Sequence, residues 1–385
     1  MEDLAVQRVC GTSTFLANGF GMGAWSVQIA SVQADNGLSD FMIGVALLVF
    51  AVAALGAMQI SGKAAARYPV NYLCAGIGVA FALALAALGF VVGIASLIVA
   101  LAAFGMAHGA LDVAMNARAS MLENRAQRPL MSSFHAAWSI GGAVGAGLAG
   151  ILAAHGYGPV VVLPATAVIA LPALLLALGG HQTAKPISTS APAETTASTR
   201  RLRTILLPLL CAIAFLALFT EGALANWSSI YLKGALAGVS GGFAVGYVAF
   251  SVGMSIGRLG GDPIVARYGR RRVGVAGATL AAIGLAVVLA IPTLASALIC
   301  FALVGIGMSN VVPITFGSAG RVARSEAAGI SRAASAGYAG FVIGPPLIGG
   351  LAGLVTLPVA LTTLVAATAL IATFGMFAYR PTERL

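Results

Sequence analysis

Charge is scarce in this sequence. Asp, Glu, Lys and Arg make up 8% of its residues, against about 25% in a soluble domain. A chain with so few charges cannot cover a water-facing surface. Cysteine is equally sparse. Cys10, Cys74, Cys211 and Cys300 have neither metal-ligand spacing nor the density of a disulfide framework, which excludes a stapled mini-domain and a zinc module. They read as small packing residues. A Walker A loop, an HExxH helix and a CxxC pair are all missing, so P-loop hydrolysis, zinc proteolysis and dithiol exchange have no support. No cofactor fingerprint or nucleophile–base pair stands out. The chain does not read as an enzyme, and it calls for no cofactor or metal.

Apolar residues and glycine are plentiful: 59% hydrophobic, with 49 glycines in 385 residues. A helix needs about 20 apolar residues to cross the hydrocarbon core. Twelve stretches meet that length, at roughly 10–33, 41–62, 70–90, 94–117, 131–153, 158–179, 203–232, 240–262, 273–291, 294–318, 328–352 and 355–379. The expected fold is all-α, with twelve transmembrane helices in a lipid bilayer. The first stretch is too long for the core of a cleaved signal and reads as a retained span.

The formal charge of +10 could suggest nucleic acid, but its placement argues otherwise. Every Lys and Arg except Lys233 falls on or beside one face of this topology, including Lys63/Arg67, Arg118/Arg125/Arg128 and Arg270/Arg271/Arg272. That asymmetry is the positive-inside pattern. It places both termini in the cytoplasm of a bacterial cell, with the chain in the inner membrane, and leaves no basic face for nucleic acid.

Residues 181–202 are rich in Ser, Thr, Ala and Pro and read as a flexible linker. They separate an N-terminal bundle, 1–180, from a C-terminal bundle, 203–385. The two halves repeat each other. Trp25-Ser26 matches Trp227-Ser228, Gly105-Met106 matches Gly307-Met308, and Gly147-Leu-Ala-Gly150 matches Gly350-Leu-Ala-Gly353, each near an offset of 202. Two pseudo-symmetric six-helix bundles that rock about a midplane site are the expected mechanics. The spacings Gly105-xxx-Gly109, Gly141-xxx-Gly145 and Gly253-xxx-Gly257 suit close helix crossings. Pro345 and Pro346 follow Gly344 in helix 11 and suit a bend.

A charge inside the membrane costs about 2.5–3.5 kcal/mol on insertion scales, so each one is a candidate for function. Two carboxylates lie well inside the spans, Asp112 and Glu221, and no Lys or Arg reads as equally deep. His108, Asp112 and Asn116 share one helix face at four-residue spacing. Asp112 reads as a proton or solute site, or as a structural clamp. Glu221, with Asn226 and Trp227 beyond it, reads as a cavity lining or as a gate contact. His135 could relay protons to Asp112 or simply pack. Trp138 and Trp25 could stack on a solute ring, with interfacial anchoring as the alternative for Trp25. Asn310, with Asn18 and Gln28, suits solute contact or interhelical hydrogen bonding. Without a deep cation, an anionic solute would lack a counter-charge. Sugars, polyols or amines fit better.

The stretch GRLGGDPIVARYGRRR, 257–272, resembles the loop 8–9 signature of the major facilitator superfamily, with a wider gap between Asp262 and Gly269 than is usual. The resemblance implies that Arg258, Asp262, Arg267 and Arg270 form a cytoplasmic gate. GALDVAMNARASMLE, SSFHAAWSIGGAVGA and EGALANWSSIYL resemble the MosC-like branch of that superfamily. The branch takes its name from a rhizobial protein linked to inositol-derived amines. The resulting expectation is a monomeric, proton-coupled secondary transporter for a small polar solute. A drug or metabolite exporter and a non-transporting membrane sensor are the alternatives.

Overall fold

A computed structural model describes residues 2–65, 67–126, 130–179, 197–237, 239, 242–323 and 326–379. The described residues form helices and no strands. Fourteen helices follow in order: α1 (Glu2–Asp35), α2 (Asp40–Ala65), α3 (Val70–Ala87), α4 (Gly93–Ala126), α5 (Met131–Ala154), α6 (Pro159–Leu175), α7 (Ala197–Ala235), α8 (Val245–Leu259), α9 (Gly261–Tyr268), α10 (Arg270–Ala290), α11 (Leu294–Met308), α12 (Val311–Val322), α13 (Glu326–Leu354) and α14 (Leu357–Ala378). Lipid offers the backbone no hydrogen bonds, so helices that satisfy themselves are the natural solution.

Eleven segments among the described residues are long and apolar enough to cross a membrane. The remaining rod is α1, which has 34 residues. Its apolar character is diluted by Thr14, Asn18 and Gln28, all wholly buried. Two expected features differ in detail. The tenth span is interrupted at Ser309–Asn310, between α11 and α12. The loop after α8 is itself a short helix, α9, and Gly269 joins it to α10 at φ +81°, a left-handed setting that glycine adopts without strain. The expected linker, 181–202, lies mostly outside the described residues, and α7 is already helical from Ala197.

The described chain divides into two compact units. One holds 2–179 with Asn226–Val252; the other holds 197–225 with 253–379. Both α7 and α8 are therefore split between units, whereas the sequence reading assigned each wholly to the second half.

In the first unit, α1 packs on α5 and α6, α2 on α4, and α3 on α4 and α6. Its core includes Phe15, Cys74, Met115, Leu122 and Phe134, and Phe15 stacks on Phe134 at 5.4 Å. Glycine sets the closest crossings. A methyl group at Gly141 or Gly145 would fall on the Leu16 or Phe20 carbonyl of α1, and one at Gly105 or Gly109 on the Phe50 or Ala54 carbonyl of α2. Such backbone approach is what small-xxx-small spacing permits. In the second unit, α10 packs on α11 and α14, α12 on α13, and α13 on α14. There Gly340 and Gly344 of α13 meet Phe215 and Phe219 of α7, and Gly253 of α8 meets Ala302 of α11. The helix α13 runs through Pro345 and Pro346.

Candidate functional site

Some of the polar side chains inside the first unit are linked by hydrogen bonds, while the amide of the wholly buried Gln28 makes none among the described residues. Trp138 of α5 donates its indole N–H to Asn18 Oδ1 of α1 at 2.9 Å. The Asn18 amide nitrogen lies 3.3 Å from His108 Nδ1 of α4. His108 stacks on Phe50 with ring centroids 5.8 Å apart. One turn further along α4, Asn116 Nδ2 donates to the carboxylate of Asp112 at 3.1 Å and to its carbonyl at 2.8 Å. Asp112 and Asn116 are half-buried. His135 stands edge-on to Phe15 at 5.5 Å.

The other expected residues of this unit are placed differently from one another. Trp25 is 2% exposed and edge-on to Phe104; Trp227 is 0% exposed. Neither indole offers a face to a solute or sits as an interfacial anchor, because both are enclosed by neighbouring helices. Asn226 is half-buried. Just beyond it, α7 is tied to α1 by two side-chain hydrogen bonds one turn apart. Ser229 Oγ donates to the Ser26 carbonyl at 2.6 Å, and Lys233 Nζ to the Ala30 carbonyl at 2.9 Å. The Lys233 ammonium also lies 5.8 Å from the centre of the Phe243 ring.

In the second unit, Arg258 Nη2 of α8 lies 3.5 Å from Glu221 Oε1 of α7, and both side chains are 17% exposed. This corrects one expectation: Glu221 does have a cationic partner. A long, flexible stem lets an arginine near a helix end place its head well away from its own Cα. The expectation of an uncharged or amine solute rested on there being no deep cation; Arg258 is such a cation, but its charge is met by Glu221.

Asn310 sits at the α11–α12 break and donates to the Gly257 carbonyl of α8 at 3.1 Å and to Ser309 Oγ at 2.9 Å. It joins two helices through a backbone carbonyl. Arg267 and Arg270 are exposed, and the Arg267 guanidinium lies 5.5 Å from the Tyr268 ring centre. The side chain of Asp262 lies outside the described residues.

One basic residue was misplaced by its sequence position. Arg118 reads as a loop charge, yet it is wholly buried. Its guanidinium donates to the Ala177 and Gly179 carbonyls at 2.6 and 2.7 Å, closing the end of the α6 rod. Unsatisfied carbonyls at a helix end are a favourable site for a cation. Among the described residues, no cluster of His, Cys, Asp and Glu could hold a metal ion.

A family profile described as Major Facilitator Superfamily matches residues 11–330. The chain is 35% identical to an uncharacterized MFS-type transporter of Yersinia pestis, over 92% of this chain and 91% of that protein. It is 30% identical to the membrane protein MosC of Rhizobium meliloti, over 94% and 88%. Among solved structures, a variant of the nucleoside transporter NupG superposes with a TM-score of 0.76 at 12% identity, covering 97% of this chain and 100% of that one. A bacterial homolog of the human lysosomal transporter Spinster gives 0.72 at 14% identity, covering 98% and 97%.

Proposed function

Since this chain belongs to the Major Facilitator Superfamily, we propose that it carries a small polar solute, a sugar, polyol or amine, by proton-coupled alternating access. The membrane is the bacterial inner membrane, with both termini cytoplasmic, and the working form is a monomer. Membrane transport itself follows from family membership.

The observation that carries the finer reading is the Glu221–Arg258 pair. Removing two ions from water costs several kcal/mol for each, and their attraction only partly offsets this. Such a pair is costly inside apolar helices, which makes it a candidate for function. Protonation of Glu221 would remove its charge and release Arg258 for another partner, so the pair has two states that a proton can select. Asp112, held by Asn116, is the second group able to take a proton within the membrane. The ties from Ser229 and Lys233 to α1 lie toward the periplasmic ends of both helices in this topology. They are contacts that an alternating cycle would make and break.

The test begins with a thermal-shift screen of sugars, polyols and amines on purified protein, followed by reconstitution with the best ligand. Glu221→Gln and Asp112→Asn are then compared with the native protein under an imposed proton gradient. At least one variant is expected to bind the solute but fail to concentrate it. Uphill accumulation by both variants overturns the coupling assignment.

A further inference from the structure

The hydrogen-bond chain from Trp138 to His108 has a fixed direction. An indole N–H only donates, so Trp138 Nε1 must use the Asn18 carbonyl oxygen. That choice turns the Asn18 amide nitrogen toward His108 Nδ1. The amide also donates, so Nδ1 presents its lone pair and the ring proton sits on Nε2. A doubly protonated imidazole would set one N–H against another. His108 therefore enters this chain as a neutral acceptor, although it shares a helix face with Asp112.

The surroundings leave the chain little freedom. Asn18 is wholly buried, and the His108 ring is in contact with Phe50 and Phe81, with ring centroids 5.8 and 6.3 Å away. A methyl group at Gly19 would strike the Trp138 carbonyl, so the backbone of Trp138 is pinned against α1 as well. Of the three indoles in the chain, Trp25 and Trp227 are enclosed, and Trp138 alone keeps part of its surface open. The α4 face that holds His108 continues into Asp112 and Asn116, which are also partly open and can hydrogen-bond hydroxyl groups. Aromatic rings favour flat apolar surfaces with a polar edge nearby.

We propose that His108 and Asn18 are positioning residues that hold the Trp138 ring as a stacking surface for a cyclic polyol or sugar. The solute class rests on the transport reading above; the positioning role does not.

The experiment uses full-length protein in detergent and reads the Trp138 contribution to fluorescence, taken as the difference between native protein and Trp138→Phe. His108→Leu removes the acceptor, and His108→Gln keeps a carbonyl in its place. Acrylamide quenching of Trp138 is expected to rise in His108→Leu and to stay near native in His108→Gln. Should His108→Leu not fold, Asn18→Ala takes its place, with the same rise expected. Unchanged quenching in the acceptor-free variants overturns the positioning role, whatever the solute. In the second arm, myo-inositol and a set of monosaccharides are titrated. The best binder is expected to shield Trp138 from quencher, and to bind about five-fold more weakly in His108→Leu, the loss of one hydrogen bond. Binding without shielding overturns the stacking site and leaves the transport reading intact. Loss of proton-driven accumulation in His108→Gln, with binding retained, would make His108 a proton carrier and overturn its neutral role.

Discussion

The α1–α5 crossing in the first unit and the α7–α13 crossing in the second use the same parts and enclose different chemistry. Gly141 meets the Leu16 carbonyl, and Gly344, 203 positions on, meets the carbonyl of Phe219, itself 203 positions after Leu16. Around this shared joint the polar contents have diverged. The first unit holds an uncharged chain, Trp138–Asn18–His108. The second holds an ion pair, Glu221–Arg258. A neutral hydrogen bond contributes about 1 kcal/mol net and fixes geometry. A carboxylate–guanidinium pair brings two opposite charges together. Duplication supplied two similar frames, and the side chains set within them differ: neutral hydrogen bonds in one, paired charges in the other.

The comparison can be strained first at the joint itself. Gly141→Ala places a methyl group on backbone that cannot yield, whereas at Gly344 the same methyl would stand 2.9 Å from the Phe219 carbonyl. Overpacking costs about 1–3 kcal/mol, and Gly141→Ala is expected at or above the top of that range, with Gly344→Ala near the bottom. Melting temperature and yield in detergent would rank them, and the opposite order would break the equivalence. Next comes the charge. Glu221→Gln leaves Arg258 without its carboxylate and is expected to cost about 3 kcal/mol. Arg258→Met added to Glu221→Gln should recover most of that loss, which denaturation of the double variant would measure.

The neutral chain should respond less. Trp138→Phe removes one donor and is expected to cost about 1 kcal/mol, with no recovery on adding Asn18→Leu beyond the relief of a buried amide. Smallest of all are Gly147→Ala and Gly350→Ala, another pair 203 positions apart. Neither has an atom within 4 Å of an added methyl group, so each should stabilise its helix by up to about 1 kcal/mol. A large loss at either would show an unrecognised contact on that face.

Much of this arrangement was legible in the sequence. Runs of about 20 apolar residues have one economical outcome in lipid, and the three glycine spacings singled out there all sit at helix crossings. The MosC-like resemblance agrees with the relationship to MosC. What the sequence concealed were the ends of long side chains. Arg118 stands two turns inside α4 and Arg258 at the end of α8; sequence position read the first as a loop charge and the second as a gate residue. Their stems are long, and only the carbonyls of Ala177 and Gly179, or the carboxylate of Glu221, show where they end. The break at Ser309–Asn310 was hidden for a related reason. Gly307 and Pro313 flank it, but glycines are spread through the whole chain, and Asn310 is held by a carbonyl of another helix. Trp25, read as a stacking surface or an anchor, and Trp227, read as a cavity lining, are both enclosed.

The glycine joint between α1 and α5 also bears on how motion in this molecule can be measured. Four residues, Gly19, Gly23, Gly141 and Gly145, leave no room for a methyl group between the two helices. Helices in such contact cannot slide or tilt apart without losing it, so they travel as one body. Spin labels placed on exposed positions of each should keep a constant separation in every condition. That pair supplies the internal reference against which any changing distance elsewhere in the protein can be read.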